Sequence, residues 1–297
     1  LAVMVGRGRC AIAYSPAMLA YRHAFHAGNH GDVLKHVVLV QVLEYLNLKD
    51  KGWRYVDTHA GAGRYALYGA AARKKAEHLH GIAQLWGRED APPAVARYLE
   101  LVRAANPGGT LTSYPGSPQF AQMLQRRQDQ LRLFEMHPAD VRTLGTRFGR
   151  APGVEVVLGD GFTELKSQLP PPTRRSLVLM DPSYELERDY ARVLATLREA
   201  LARFAEGVYM VWYPQVGRVA AHELPRRLQA LAPKGWLHAR LTVQQPDARG
   251  FGLAGSGVFV FNPPHTLHGE LARALPWLHE ALKQHEGGSW LLDQRAV

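Results

Sequence analysis

Four acidic residues stand where chemistry could begin. Asp57, Glu135, Asp160 and Asp181 each lie at the end of a short, strand-like run, in "WRYVDT", "QLRLFEM", "VEVVLGD" and "SLVLMDPSYELE". Any one of them alone would more often be a helix cap or a turn residue; the set is the signal. In open α/β sheets, ligands bind beyond the carboxyl ends of the strands, where the strand order reverses. Acids placed there would converge on one crevice. Asp181 carries a second feature, because Tyr184 follows it by three residues. A carboxylate held by a strand can accept an N–H bond from a poor nitrogen nucleophile and take the departing proton. An aromatic ring beside it can stack on a planar substrate.

The elements that must position these acids are legible as periodicities. Residues 32–48 have apolar residues on helical spacing, with Asp32 placed to cap the start. Residues 53–58 read as a strand, followed by the glycine-bearing turn "HAGAG". Residues from about 66 to 113 read as an Ala-, Arg- and Leu-rich helical insert that closes with "NPGG". Strand-like runs at 130–136, 154–160, 176–181 and 207–214 follow, with helical stretches between most of them. Runs 238–244 and 257–262 are expected to form an antiparallel pair. This alternation predicts an open α/β sheet with parallel neighbours.

Composition sets the bounds. The chain has 297 residues and a formal net charge of +10; 8 of its 36 basic residues are lysine, leaving 28 arginines. A basic, arginine-rich surface suits either a nucleic-acid partner or plain solvation. The single cysteine, Cys10, excludes an intramolecular disulfide and fits a reducing cytoplasm. No apolar run reaches the ~18 residues of a membrane-spanning helix. Residues 1–17 read as a disordered leader or a start-site artefact, with Met18 as the candidate start and 18–297 as one catalytic domain.

The glycine turn narrows the ligand. "GAGRYA" (61–66) resembles a dinucleotide-binding turn, but Asp57 to Ala60 intervene after the strand, and the ribose-type acid, Glu135, comes only after the insert. A nicotinamide oxidoreductase is therefore disfavoured. An acid before such a turn resembles the cofactor turn of S-adenosylmethionine-dependent methyltransferases. On that resemblance Glu135 would accept the ribose hydroxyls and Asp160 would reach the adenine edge, with Gly161 leaving room beside it. Asp181 would stand where the methyl group leaves, and Tyr184 would stack on a flipped base.

"DPSY" (181–184) is similar to the Asp/Asn-Pro-Pro-Tyr signature of amino methyltransferases. The wider pattern resembles the RlmJ family of bacterial 23S ribosomal RNA (adenine-N6)-methyltransferases. It is carried by "YRHAFHAGNHGDVLKH" (21–36), "DTHAGAGRY" (57–65), "YPGSP" (114–118), "EMHP" (135–138), "DGF" (160–162), "WYP" (212–214) and "PWLH" (276–279). The resemblance implies a Rossmann-like class I methyltransferase sheet with a helical insert. It also implies S-adenosyl-L-methionine as cofactor and 23S ribosomal RNA as substrate; the enzyme is expected to be cytoplasmic and monomeric. Tyr21 would touch the RNA, as would Tyr184. His36, His59, Ser117, Glu135, Asp160, Gly161 and Asp181 would contact the cofactor, and Asp181 would accept the proton. Ser183 replaces the second proline of the signature, which loosens the backbone there.

Several features have blander readings. His23, His26, His30 and His36 lack a nearby cysteine or a His-Glu-x-x-His helix, so a metal is not expected and a polar loop touching RNA and cofactor is. Ser117 before Pro118 reads as a helix N-cap, which leaves open a role for that N-terminus in binding an anionic group. "FNPPH" (261–265) reads as a turn ending the last strand, and "ARGFGLAGSG" (248–257) as either a substrate-facing loop or a plain connection. Two rival functions remain: a DNA adenine-N6 methyltransferase, and a non-catalytic RNA-binding or assembly module.

Overall fold

The structure, a computed structural model, describes residues 4–5, 22–68, 76–245 and 252–296. Its strands are β1 (Met4–Val5), β2 (Arg54–Asp57), β3 (Arg64–Ala66), β4 (Ser113–Pro115), β5 (Gln130–Glu135), β6 (Val154–Leu158), β7 (Ser176–Met180), β8 (Val208–Gln215), β9 (Trp236–Thr242), β10 (Gly255–Phe261) and β11 (Ser289–Arg295). Its helices are α1 (His30–Asn47), α2 (Ile82–Leu85), α3 (Pro93–Ala104), α4 (Ser117–Leu124), α5 (Pro138–Phe148), α6 (Gly161–Gln168), α7 (Arg188–Arg203), α8 (Val219–Leu231) and α9 (Leu267–Leu282).

One sheet runs in the order β1-β6-β5-β2-β7-β8-β10-β9-β11, and β3 and β4 form a separate two-stranded ladder. From β1 to β8 all neighbours are parallel; β10 is antiparallel to both β8 and β9, and β11 is antiparallel to β9. The expected antiparallel pair is therefore present. After β2 the chain lays down β5 and then β6 on one side, and crosses to β7 on the other. The order thus reverses between β2 and β7, which are hydrogen-bonded neighbours. Asp57 ends β2 and Asp181 follows β7, so the two acids flank the reversal.

Strand β7 shows why the central sheet reads as unbroken apolar runs. Leu177 and Leu179 pack in the core on one face, while Val178 and Met180 pack in the core on the other. A parallel strand covered on both faces has no polar side to show. The first face carries α1, α3, α4 and α9; the second carries α6, α7 and α8. Helix α1 is enclosed by the sheet, α3, α4 and α9, and is apolar nearly all round, as a buried helix must be. Three polar residues break that pattern on one face, Asp32, Lys35 and His36, at helical i, i+3, i+4 spacing.

Four expectations need correction. Helix α1 begins at His30, and Asn29 caps it by accepting from the Asp32 backbone N–H at 2.9 Å. Asp32 does not cap, because its carboxylate accepts from Gly28 N and pairs with His23 and Lys35. Ser117 is not the cap of α4 either; Gly116 holds that position and Ser117 is the first helical residue. Within the supposed leader, Met4 and Val5 pair in parallel with Val157 and Leu158 at the sheet edge, so those two residues are not disordered. Finally, β10 is not the last strand, since β11 adds an outer edge. "FNPPH" does follow β10, but Phe261 pairs with Tyr209 near the start of β8, at the end of the sheet opposite the strand-end acids.

Candidate active site

At the carboxyl ends of β2, β5 and β7 lies a cavity lined by His36, His59, Gly61, Ser117, Glu135, Phe162 and Asp181, among others. Asp57 lies beneath it, fully buried, and accepts hydrogen bonds from the Tyr55 hydroxyl (2.7 Å), the Ser117 hydroxyl (2.6 Å) and the His59 backbone N–H (3.2 Å). Burial pushes its carboxyl above the ordinary value in spite of these donors. Its task is structural: it ties the glycine turn to α4.

Glu135 closes the other side. Its two oxygens accept from Gly61 N at 2.7 Å and His137 N at 2.6 Å. Burial raises its pKa to about 7, against those backbone donors. Gly61 has φ of +61°, and a Cβ there would lie 2.1 Å from the Tyr65 hydroxyl, so only glycine lets this turn close over the cavity. His59 is held by the Thr58 hydroxyl at 2.8 Å and by the edge of Phe162, and burial lowers its pKa to about 4. His36 is 1% exposed; burial, then Lys35, keep it neutral, well below the ordinary histidine range. Its Nδ1 bonds the Tyr114 hydroxyl at 2.8 Å, and its buried Nε2 has no partner among the described residues.

Asp160 and Gly161 sit behind this cavity and do not line it. Asp160 caps α6 by accepting from Phe162 N, and its other oxygen pairs with Thr163 and Arg192. The Arg192 guanidinium also lies over the Phe162 ring, 4.6 Å from its centroid. A Cβ on Gly161 would lie 2.2 Å from the Thr58 carbonyl oxygen. The glycine therefore admits the Thr58 backbone rather than clearing space for a ligand.

Asp181 is the junction of the site. Its Oδ2 accepts from Lys35 Nζ at 2.5 Å, and Lys35 also bonds Asp32 Oδ1 at 2.7 Å. Asp32 in turn meets His23 Nε2 at 3.0 Å. Burial alone would lower the Lys35 pKa, but Asp181 and then Asp32 raise it, so the ammonium stays charged. Burial likewise opposes ionisation of Asp32, yet His23 and Lys35 hold its carboxyl well below the usual range. The sequence reading missed Lys35. Its signal was there in the polar triplet Asp32, Lys35 and His36 on a helix with no solvent to face.

A second cavity opens on the other side of Asp181. It shares His23, Lys35, Asp181, Ser183 and Glu185 with the first, and adds Tyr184, Trp212, Pro214, Arg218 and Leu253. Tyr184 is not a free clamp. It is 3% exposed, has φ of +53°, packs against Tyr190 in a tilted contact with ring centroids 4.6 Å apart, and donates its hydroxyl to the Trp212 carbonyl at 2.8 Å. It thus forms part of the wall, with Trp212 beside it. Arg218 donates to the carbonyls of Tyr184 and Glu185 and fixes that loop. Gly252 and Leu253 line this cavity, so the end of the glycine-rich stretch faces it. Tyr21 lies outside the described residues.

Among the described residues there is no cluster of three or more potential metal-binding side chains and no helix long and apolar enough to cross a membrane. Residues 50–295 match the family model described as "Ribosomal RNA large subunit methyltransferase D, RlmJ". The chain is 43% identical over 281 residues to the Ribosomal RNA large subunit methyltransferase J of Escherichia coli (strain K12), covering 93% of this chain and 100% of that protein. It is 43% identical over 277 residues to the protein of the same name from Haemophilus influenzae, covering 93% and 98%. A crystal structure of a Legionella pneumophila protein superposes with a TM-score of 0.82 at 32% identity, covering 90% of this chain and 98% of that one.

Proposed function

The chain belongs to the family described as ribosomal RNA large subunit methyltransferase D, RlmJ, and from that membership we propose that it methylates the exocyclic N6 of an adenine in 23S ribosomal RNA. The observation that carries this reading is that two cavities meet at the strand-end carboxylate Asp181, which Lys35 holds. The first suits S-adenosylmethionine. Glu135 offers acceptor oxygens at the ribose end, while the partnerless His36 Nε2 and the N-terminus of α4 lie at the methionine end. The second, walled by Trp212 and Tyr184, suits an unstacked purine. When bound, S-adenosylmethionine supplies an electrophilic methyl group on sulfur.

The chain's own groups then do three things. Lys35 holds one oxygen of Asp181, which leaves the other oxygen to accept an N–H from the adenine amine. That bond raises electron density on a nitrogen whose lone pair is delocalised into the ring, and Asp181 takes the proton as the new N–C bond forms. Trp212 and the Tyr184 wall hold the base in line, and positioning of two reactants can supply about 7–11 kcal/mol of barrier lowering. Asp160, with Arg192 and Phe162, shapes the adenine end of the cofactor cavity, and His59 packs beside it. Tyr21 precedes the His23 turn and is assigned to the RNA. The substrate is taken as naked or unassembled RNA, and the enzyme would act as a cytoplasmic monomer on it.

The test is mass spectrometry of nucleosides from transcribed 23S RNA incubated with the protein and S-adenosylmethionine. N6-methyladenosine should accumulate, and duplex DNA offered in parallel should remain unmodified. Methylation of DNA alone, or of no nucleic acid, would reject the reading.

A further inference from the structure

His36 Nδ1, the Tyr114 hydroxyl and the Tyr98 hydroxyl form a buried row, with spacings of 2.8 Å and 3.0 Å. Tyr98 comes from α3 of the helical insert and Tyr114 from β4, which closes that insert. Both tyrosines are 0% exposed, and Tyr98 has no other hydrogen-bond partner among the described residues. The row can run in two directions, and counting every unpaired group, donor and acceptor, decides between them. If His36 Nδ1–H donated to Tyr114 and Tyr114 donated to Tyr98, two groups would be left over: the Tyr98 hydrogen with no acceptor and the buried His36 Nε2 lone pair with no donor among the described residues. A buried donor left unpaired costs about 1–3 kcal/mol. If Tyr98 donates to Tyr114 and Tyr114 donates to His36 Nδ1, each hydroxyl hydrogen is used, and only the Nε2–H is left without a partner among the described residues. A neutral imidazole whose Nδ1 accepts must carry its proton on Nε2. That Nε2 is buried, has no partner, and belongs to a residue lining the first cavity. The His36 ring is held in place by Phe120, 4.8 Å away.

We propose that the helical insert acts in cofactor binding: the Tyr98–Tyr114 hydroxyl row fixes His36 as the Nε2–H tautomer, and this N–H donates to the carboxylate of the cofactor's methionine. The assignment rests on the reading of the first cavity as the S-adenosylmethionine site. A carboxylate is the fitting acceptor because the first turn of α4, with Ser117, faces the same cavity, and a helix N-terminus favours an anion. Tyr98 and Tyr114 are positioning residues in this scheme, since neither lines the cavity.

Two measurements on the full chain test it. Nitrogen NMR of histidine-labelled wild-type protein should show His36 protonated on Nε2; protonation on Nδ1 would overturn the proposal. Calorimetry should then compare S-adenosylmethionine with its decarboxylated form. Tyr114→Phe should weaken S-adenosylmethionine by about three- to tenfold, the worth of one hydrogen bond, and leave the decarboxylated form unchanged. Tyr98→Phe removes the donor at the head of the row, is read in the same way, and serves if Tyr114→Phe does not fold. Equal weakening of both ligands, or of neither, would contradict the role assigned to the row. Failure of the wild type to bind either form would overturn the cofactor reading itself, a result distinct from a wrong tautomer.

Discussion

The two cavities that meet at Asp181 are built by different means. The first is made at the ends of parallel strands, and the acids in and behind it are tied to backbone: Glu135, which lines it, to Gly61 and His137, and the supporting Asp57 to His59 and Asp160 to Phe162. The second is assembled from remote pieces: the turn before α1, the loop after β7, the end of β8 and Leu253. A strand end is a fixed point, so the first cavity can be shaped in advance for one small ligand. Loops converging from distant parts of the chain suit a larger and more variable partner. On the proposed assignment the comparison predicts that the two cavities can be altered separately, with Asp181, which lines both, the point at which both fail.

The largest effect should come from that shared residue. Asp181→Ala should lower turnover by about 10²–10⁴-fold, roughly 3–5 kcal/mol in the barrier, while RNA binding largely persists. Turnover measured at saturating cofactor and RNA checks this, and an unchanged rate would remove Asp181 from the chemistry. Next comes the framework of the first cavity. Gly161→Ala sets a Cβ against the Thr58 backbone, which cannot move aside as a side-chain tip could. It should cost about 1–3 kcal/mol of stability and weaken cofactor binding, read by denaturant melts and calorimetry.

Variants of the second cavity should spare the first. Trp212→Ala removes a flat wall beside the proposed base site, and stacking is worth about 1–3 kcal/mol per base. The KM for RNA should rise accordingly, with the cofactor dissociation constant unchanged; a loss confined to cofactor binding would reverse the assignment of the cavities.

The smallest effect is on pH. Glu135 has its pKa raised to about 7 in the fold. A carboxyl raised on folding stabilises the protein fully below its ordinary value, and that contribution is lost as pH rises through about 7. On the proposed cofactor reading, affinity should move the other way, because the ionised form is the better acceptor for the ribose hydroxyls. It should rise about tenfold between roughly pH 6 and 8, following the ionised fraction. Glu135→Gln should flatten that rise.

The same contrast explains what the sequence could and could not disclose. The strand-end acids were readable because apolar runs locate strands, and the sheet rule places ligands at their ends. Asp57, Glu135, Asp160 and Asp181 do end or closely follow four parallel strands. Their separate tasks were less legible, since Asp57 and Asp160 turn inward to backbone and neighbouring side chains. The Tyr184 ring could not be placed from spacing, because its left-handed backbone turns it into the wall. Lys35 was hidden in a run that reads as an ordinary helix, until burial on all sides shows that its charge must have partners. The edge strand β11 was missed because most of its residues are exposed and carry no apolar period. The short β3–β4 ladder gives too few residues for any period to register.

The most direct test of the account is a crystal structure of the protein with S-adenosylhomocysteine and adenosine together. The homocysteine product should occupy the first cavity. Adenosine should lie in the second against Trp212, with its N6 within about 3.2 Å of the Asp181 oxygen not held by Lys35. Adenosine seated elsewhere, or bound with N6 turned away from Asp181, would contradict it.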